Sequence, residues 1–262
     1  MASLSSQEGR GTKMAQNIYD DDRFLAGYST FPRSQDGLKA TSEWPAFRAM
    51  LPAIAGKRVV DLGCGFGQLS RWLADEGAAS VLGVDLSEKM LARAVQETSS
   101  ALVTYQRANL DEVVLDPASA ELIVSSMALH YVEDFGRIAG MMFNALTPGG
   151  SLVFSVEHPI YAARAEPEWA TAADGRRAFA IADYGIEGRR VTNWIVDGVV
   201  KYHRNIGTML NVLVAAGFCY GSVNEWRPTE AELEAHPDWR DTELTRPMFL
   251  LIAVHKPENG IH

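Results

Sequence analysis

Short apolar runs alternate along the chain with stretches in which apolar residues recur every three or four positions. Residues 58–62 (Arg-Val-Val-Asp-Leu) read as a buried strand and 68–76 as an amphipathic helix. Residues 80–85 are predicted as a second strand, and Ser87 as the N-cap of a helix reaching about Gln96. Further strands are predicted over 102–106, 121–125 and 151–156. Between the last two, 135–146 reads as a helix stopped by Thr147-Pro148-Gly149-Gly150. Strands that alternate with helices need crossovers, so the sheet should be parallel and covered on both faces. The strand runs are continuously apolar, which suits strands buried on both sides.

The pattern changes after residue 157. Residues 158–204 carry Pro, Gly and repeated turn signals. Trp194-Ile195-Val196 followed by Asp197-Gly198 and Val199-Val200 predicts a hairpin with a type I′ turn at Asp197-Gly198. A helix over 206–216, ended by Gly217, and strands over 219–225 and 248–255 complete the pattern. Ahead of the first strand, Trp44, Phe47 and Leu51 place a helix over 42–51. The expected organisation is a disordered leader over 1–14, with Met14 a candidate start, and an N-terminal helical lid over 15–56. A core domain formed by 57–157 and 205–256 follows, with an inserted, β-rich substrate cap over 158–204, and 257–262 as a loose tail.

Composition narrows the function. The chain has 262 residues, 47% of them hydrophobic, enough for one sizeable core. A net charge of −9 disfavours nucleic acid, whose phosphates are usually met by a basic surface. Two cysteines, Cys64 and Cys219, make no disulfide framework and suit a reducing cytoplasm. No apolar run nears the ~20 residues that cross a bilayer, and the polar start lacks the core of a signal peptide. No Cys/His cluster has metal-ligand spacing. These features lead us to expect a cytoplasmic monomer or homodimer without membrane, metal or nucleic-acid partners.

The sharpest signal is Val59-Val60-Asp61-Leu62-Gly63-Cys64-Gly65-Phe66-Gly67, set between the first strand and the first helix. Glycines there permit a tight turn and close backbone approach to a ligand. The spacing is G-x-G-x-G; a nicotinamide fingerprint would be G-x-G-x-x-G, and Gln68 stands at its sixth position. The Asp61 carboxylate beside the glycines suits an amino-acid ammonium better than a pyrophosphate. Asp85, ending the next strand, is placed to accept hydrogen bonds from ribose hydroxyls, although an acid before a helix is also favoured by the helix dipole. Leu86 and Met90 are expected against an adenine. The Asn109 amide can pair with the adenine edge or serve as an ordinary turn residue. Cys64 reads as a small loop residue, because no basic group stands beside it to activate a thiolate. Ser125 to Tyr131 follows the fourth strand, at the mouth where open α/β sheets bind ligands.

Four segments, in order, resemble class I S-adenosylmethionine (SAM)-dependent methyltransferases of the type 11 group, which includes ubiquinone and menaquinone biosynthesis enzymes. They are Asp61 to Gly67, Gly83 to Leu91, Ser126 to Asp134, and Leu146 to Gly150. The resemblance covers about residues 55–156. It implies a Rossmann-like three-layer α/β/α sandwich with a seven-stranded, mostly parallel sheet whose last strand is antiparallel. It also implies SAM as cofactor and S-adenosylhomocysteine as product. Asp61, Gly63, Cys64 and Gly65 would hold the methionine part, Asp85 the ribose, and Asn109 and Leu110 the adenine. The family often has Asp where Asn109 stands. Ser126 is expected beside the cofactor, Arg33 over its carboxylate, and Tyr28 closing the pocket.

Methyl transfer from a sulfonium is an in-line displacement, so the protein chiefly aligns the partners and excludes water. A base is needed only when the acceptor arrives protonated. The candidate catalytic residues are His130, His158 and His203. A lone His is more often a surface or core residue than a catalyst. Tyr19, Glu157, Tyr161, Trp194, Tyr202 and Arg204 are candidate acceptor contacts, Arg204 through bidentate binding of a carboxylate. Ser125-Ser126-Met127-Ala128 replaces the Asn-Pro-Pro-Tyr-like segment of enzymes that methylate nucleic-acid bases or protein glutamine. No carboxylate ends that strand, so a metal-dependent catechol site is not expected. Methyl transfer to a small metabolite is the leading expectation. The alternatives are an RNA or protein methyltransferase, a non-catalytic SAM-binding partner subunit, and a nicotinamide-dependent oxidoreductase.

Overall fold

Three short helices open the computed structural model, which describes residues 16–166 and 168–258. They are α1 (Asp22–Tyr28), α2 (Pro32–Gln35) and α3 (Trp44–Met50). Then come β1 (Arg58–Leu62), α4 (Gln68–Asp75), β2 (Ser80–Asp85), α5 (Glu88–Glu97), β3 (Val103–Arg107), β4 (Ala120–Ser126), α6 (Phe135–Ala145) and β5 (Leu146–Glu157). The insertion holds α7 (Pro159–Ala162) and two hairpins, β6 (Glu168–Thr171) with β7 (Arg177–Ala180) and β8 (Gly188–Trp194) with β9 (Val196–His203). The chain finishes with α8 (Ile206–Ala215), β10 (Cys219–Glu225), α9 (Glu230–Ala235) and β11 (Phe249–His255). The leader expected over 1–14 lies outside the described residues, as does most of the tail.

Seven strands pair in the order β10-β11-β5-β4-β1-β2-β3. Every pair from β5 to β3 is parallel, whereas β11 runs antiparallel to both β5 and β10. The seven-stranded sheet with an antiparallel last strand is therefore present. Side chains alternate across it. Val59 of β1 joins a cluster with Phe47, Leu69 and Leu73 from α3 and α4. Val60 and Leu62 point the other way, to Ile138 and Met142 of α6 and Leu213 of α8. Leu62, Leu73, Ile138 and Met142 are fully buried, each stabilising the fold by about 1.5–3 kcal/mol. The crossover helices start where the sequence supplies caps: Ser87 accepts from Met90 N and Asp134 from Arg137 N. Among the described residues no helix is long and apolar enough to cross a membrane.

The second hairpin reverses earlier than its Asp-Gly signal predicts. Trp194 pairs with Val196 and Thr192 with Val199, so the turn sits at Ile195, whose φ is +63°. Gly198, φ +82°, lies inside β9 beside the register shift, the use of glycine seen in bulges. Tertiary packing overrides local turn preference here. The Trp194 ring stacks on Phe31 (centroids 6.1 Å apart) and meets Phe24 edge-on at 5.4 Å. Ile195 fills the space beside Gly27, where a Cβ would stand 2.5 Å from its Cγ2. Hairpin β6–β7 and helix α9, with its Thr229–Glu232 capping box, have no counterpart in the expected elements.

Candidate functional site

The carboxyl ends of β1, β2, β4 and β5 open into one cavity of about 1210 Å³, at the edge where α/β sheets bind ligands. Gly63, at the exit of β1, has φ +75°, and a Cβ there would stand 2.2 Å from the Ala128 Cβ. The loop can follow this path only with glycine. Its neighbour Gly65 donates its N–H to Asp85 Oδ2 at 2.9 Å, and Ser87 N donates to Oδ1 at 2.9 Å. The Asp85 carboxylate is thus fixed at the cavity wall, and burial raises its pKa despite both hydrogen bonds. Leu86, Met90, Leu110 and Ser126 line the same half. Asn109 also lines it, while its Oδ1 accepts from Asp111 N at 3.0 Å in the manner of a turn residue.

The far half is walled by aromatic rings from separate parts of the chain. The Tyr19 and Tyr131 hydroxyls share a hydrogen bond of 3.2 Å, and Tyr28 meets Tyr19 edge-on at 5.3 Å. Trp194 and Tyr161 complete this wall. Three acidic side chains in the lining are each matched to a cation: Glu157 with Lys201 at 2.5 Å, Glu43 with Arg33 at 3.4 Å, and Glu243 with Arg246 at 3.1 Å. The Lys201 ammonium also lies 4.7 Å from the Trp194 ring centre. Between the halves stands His130, on a 3₁₀ turn (Leu129–Tyr131) after β4. That turn is set by Met127, φ +56°, whose N–H donates to the Ser155 carbonyl at 3.0 Å. Burial, then the charges of Lys201, Arg33 and Arg204, hold the His130 pKa well below its ordinary value. Its imidazole is therefore neutral at pH 7.

Known proteins match this architecture. Residues 60–154 fit the model of a methyltransferase domain family. A crystal structure of an S-adenosylmethionine-dependent methyltransferase from Mesorhizobium loti is 52% identical, covers 84% of this chain and 100% of that one, and superposes with a TM-score of 0.81. The chain belongs to the S-adenosylmethionine-dependent methyltransferases. An uncharacterised Haemophilus influenzae protein is 32% identical over 251 residues, 92% of this methyltransferase and 98% of that protein. A ubiquinone biosynthesis O-methyltransferase from Aromatoleum aromaticum is 40% identical, but over 105 residues only, 39% of this chain and 44% of that protein.

The cofactor half fits SAM. It offers a glycine cradle that a Cβ would block, a fixed carboxylate at the end of β2, and apolar Leu86, Met90 and Leu110 beside it. Asp61 and Cys64, expected against the methionine part, do not line the cavity. Asp61 is 1% exposed and accepts from Ser70 Oγ at 2.6 Å. Burial, reinforced by the Asp85 charge, pushes its pKa up to about 7. Cys64 is also buried behind the loop, and burial raises its thiol pKa well above the ordinary value. Both residues sit where β1 and its loop turn inward to the core.

Of the three candidate histidines, only His130 reaches the methyltransferase cavity. His158 is fully buried; its Nδ1 accepts from Ile160 N at 3.1 Å, capping α7, and its Nε2 lies 2.8 Å from Glu225. His203 Nε2 bonds the Tyr184 carbonyl at 2.9 Å, and Arg204 bonds the carbonyls of Val132 and Glu133. Strand alternation explains β9: Val200 and Tyr202 face the cavity, so Lys201 and His203 face away. Tyr19, Tyr28, Arg33, Glu157, Tyr161, Trp194 and Tyr202 all line the cavity. Trp226, Trp239, Glu243, Met248 and Phe249 line it too, and none was expected. All but Phe249, the first residue of β11, come from the long β10–β11 connection, whose tryptophans and Thr229-x-x-Glu232 capping box were the available signals.

Proposed function

We propose that this methyltransferase acts on a small, largely uncharged aromatic metabolite, at a group that gives up a proton. The carrying observation is the cavity, which runs without a break from the glycine cradle to the aromatic wall. Its volume exceeds the ~300–1,000 Å³ usual for one ligand, leaving room for an acceptor beside the cofactor. The N-terminal segment closes it. Gln16 bonds Gly198 O at 2.7 Å and receives the Val200 N–H at 2.8 Å, and Asp20 receives the Ser87 hydroxyl at 2.5 Å. A segment tied to both rims favours small acceptors over a polymer, and the net charge of −9 supports this. The partial match to a ubiquinone biosynthesis O-methyltransferase agrees with a hydroxyl acceptor.

Bound SAM supplies an electrophilic methyl group on a sulfonium. Tyr19, Tyr131 and Trp194 orient the ring of the acceptor, and the closed N-terminal segment excludes water. His130 Nε2 would take the proton that the acceptor oxygen or nitrogen gives up on methylation, and the imidazolium so formed would later shed it to solvent, with S-adenosylhomocysteine as the expected by-product.

Methyl-labelled SAM, incubated with a panel of phenols, catechols, aromatic amines and aliphatic counterparts, should give a labelled low-mass product from the aromatic members. His130→Asn should lower kcat about 10²-fold or more with SAM affinity unchanged. Label entering protein or RNA, or preference for aliphatic acceptors, overturns the reading.

A further inference from the structure

His130 and His203 share a second, much smaller space. A cavity of about 20 Å³ is lined by both residues, by apolar side chains such as Phe135, Val156 and Met209, and by Glu157, Tyr202 and Arg204. The two imidazoles present matching orphans. His130 Nδ1 and His203 Nδ1 are each buried with no hydrogen-bond partner among the described residues. Leaving a buried polar atom unpaired costs about 1–3 kcal/mol, so two at one small cavity call for a shared partner. The volume admits one water, which needs ~10–15 Å³ and at least two polar partners.

The tautomer of His203 follows from geometry. Its Nε2 lies 2.9 Å from the Tyr184 carbonyl, which only accepts, so Nε2 carries the hydrogen. His203 Nδ1 is therefore a lone pair. We infer that one buried water joins the two rings: it donates one hydrogen to His203 Nδ1 and the other to the Glu157 carboxylate at the same cavity, and with both hydrogens engaged it accepts from a hydrogen on His130 Nδ1. A neutral imidazole carries one hydrogen, so His130 Nε2 is left as the lone pair. This nitrogen makes no hydrogen bond within the described residues and, unlike Nδ1, is not among the fully buried unpaired atoms, and His130 lines the main cavity. His203 is thereby a positioning residue. Through the water it selects the tautomer in which His130 accepts the acceptor's proton. When that proton arrives at Nε2, the Nδ1 hydrogen and the water stay in place, so no second transfer is required. The inference rests on the proposed base role of His130.

Two-bond ¹H–¹⁵N correlation spectra of ¹⁵N-histidine-labelled protein read the tautomers directly, with the His130 signals assigned by their loss in His130→Asn. The wild type should show His130 protonated at Nδ1 and His203 at Nε2. His203→Phe should move His130 toward the Nε2-protonated form and slow turnover about tenfold, part of the ~10²–10⁴-fold that a positioned base supplies. SAM affinity should hold within about twofold. His203→Gln, whose amide can donate to Tyr184 and accept from the water, should restore most of both. His130 protonated at Nε2 in the wild type, which needs no variant to fold, overturns the water bridge even if His130→Asn abolishes turnover. Full turnover by His130→Asn alongside the expected tautomer supports the bridge and removes the base role instead.

Discussion

Asp61→Asn tests whether the carboxylate behind the glycine loop is a buried structural acid. Asp61 is 1% exposed, and burial moves its pKa from an ordinary 3.8 to about 7. Because the folded-state pKa is raised, the unfolded chain ionises first as pH climbs. The wild type thus loses stability from about pH 4 up to about pH 7 and stays level above it. The displacement is about three pH units at ~1.4 kcal/mol each, or roughly 4 kcal/mol in full, of which about 3 kcal/mol falls between pH 5 and pH 8. Asn does not titrate and keeps an oxygen for the Ser70 hydroxyl. Its amide hydrogens add an offset that does not vary with pH, so the slope is diagnostic. His130 contributes in the opposite sense: its depressed pKa lets only the unfolded chain gain that proton below about pH 6.5. This occurs in both proteins and cancels in the difference. Urea unfolding at pH 5 and pH 8 should show the variant gaining about 3 kcal/mol on the wild type, a relative rise in Tm of roughly 6–12 °C. Parallel stabilities at the two pH values would refute the argument.

Three further outcomes are expected. Gly63→Ala combines φ +75° with a Cβ 2.2 Å from that of Ala128, so urea unfolding should show a loss of about 1–3 kcal/mol, and calorimetry a weaker grip on SAM. Asp85→Ala removes the carboxylate that Gly65 and Ser87 hold at the wall; the Kd for SAM should rise about tenfold or more, and an unchanged Kd removes Asp85 from the cofactor site. Lys201→Met leaves the cavity-lining Glu157, 12% exposed, without its cation and should cost about 1–3 kcal/mol, whereas adding Glu157→Leu should recover most of it; a double variant no more stable than the single one would show that the pair is not coupled.

Much of the fold was legible because the parallel core obeys local rules. Val59, Val60 and Leu62 form an apolar run long enough to predict β1 and short enough to exclude a helix, and Ser87 and Asp134 mark their helix starts. Reading failed where distant contacts outweighed local preference. Asp197-Gly198 is a strong turn signal, yet the reversal moved to Ile195 because Trp194 stacks on Phe31, far away in sequence. Asp61 shows a related limit. Its place before the glycines suggests a ligand contact, but strand alternation turns its side chain toward Ser70.

The two halves of the site differ in legibility for a physical reason. Gly63, Asp85, Asn109 and Ser126 follow successive strands of one sheet, so strand order alone brings them together. The acceptor wall has no such rule. Tyr19, His130, Glu157, Trp194 and Glu243 come from five separate segments, and four of them have their own anchor: the Tyr131 hydroxyl for Tyr19, Lys201 for Glu157, Phe31 for Trp194, Arg246 for Glu243. Such anchors are pairwise and nonlocal, so no spacing along the chain records them. The same anchors give the wall its rigidity, since each pins one side chain from one segment against another. Acceptor choice should accordingly change by replacing an anchor as readily as a lining residue. Replacing Phe31 or Arg246 is therefore expected to shift acceptor preference as much as replacing Trp194 or Glu243.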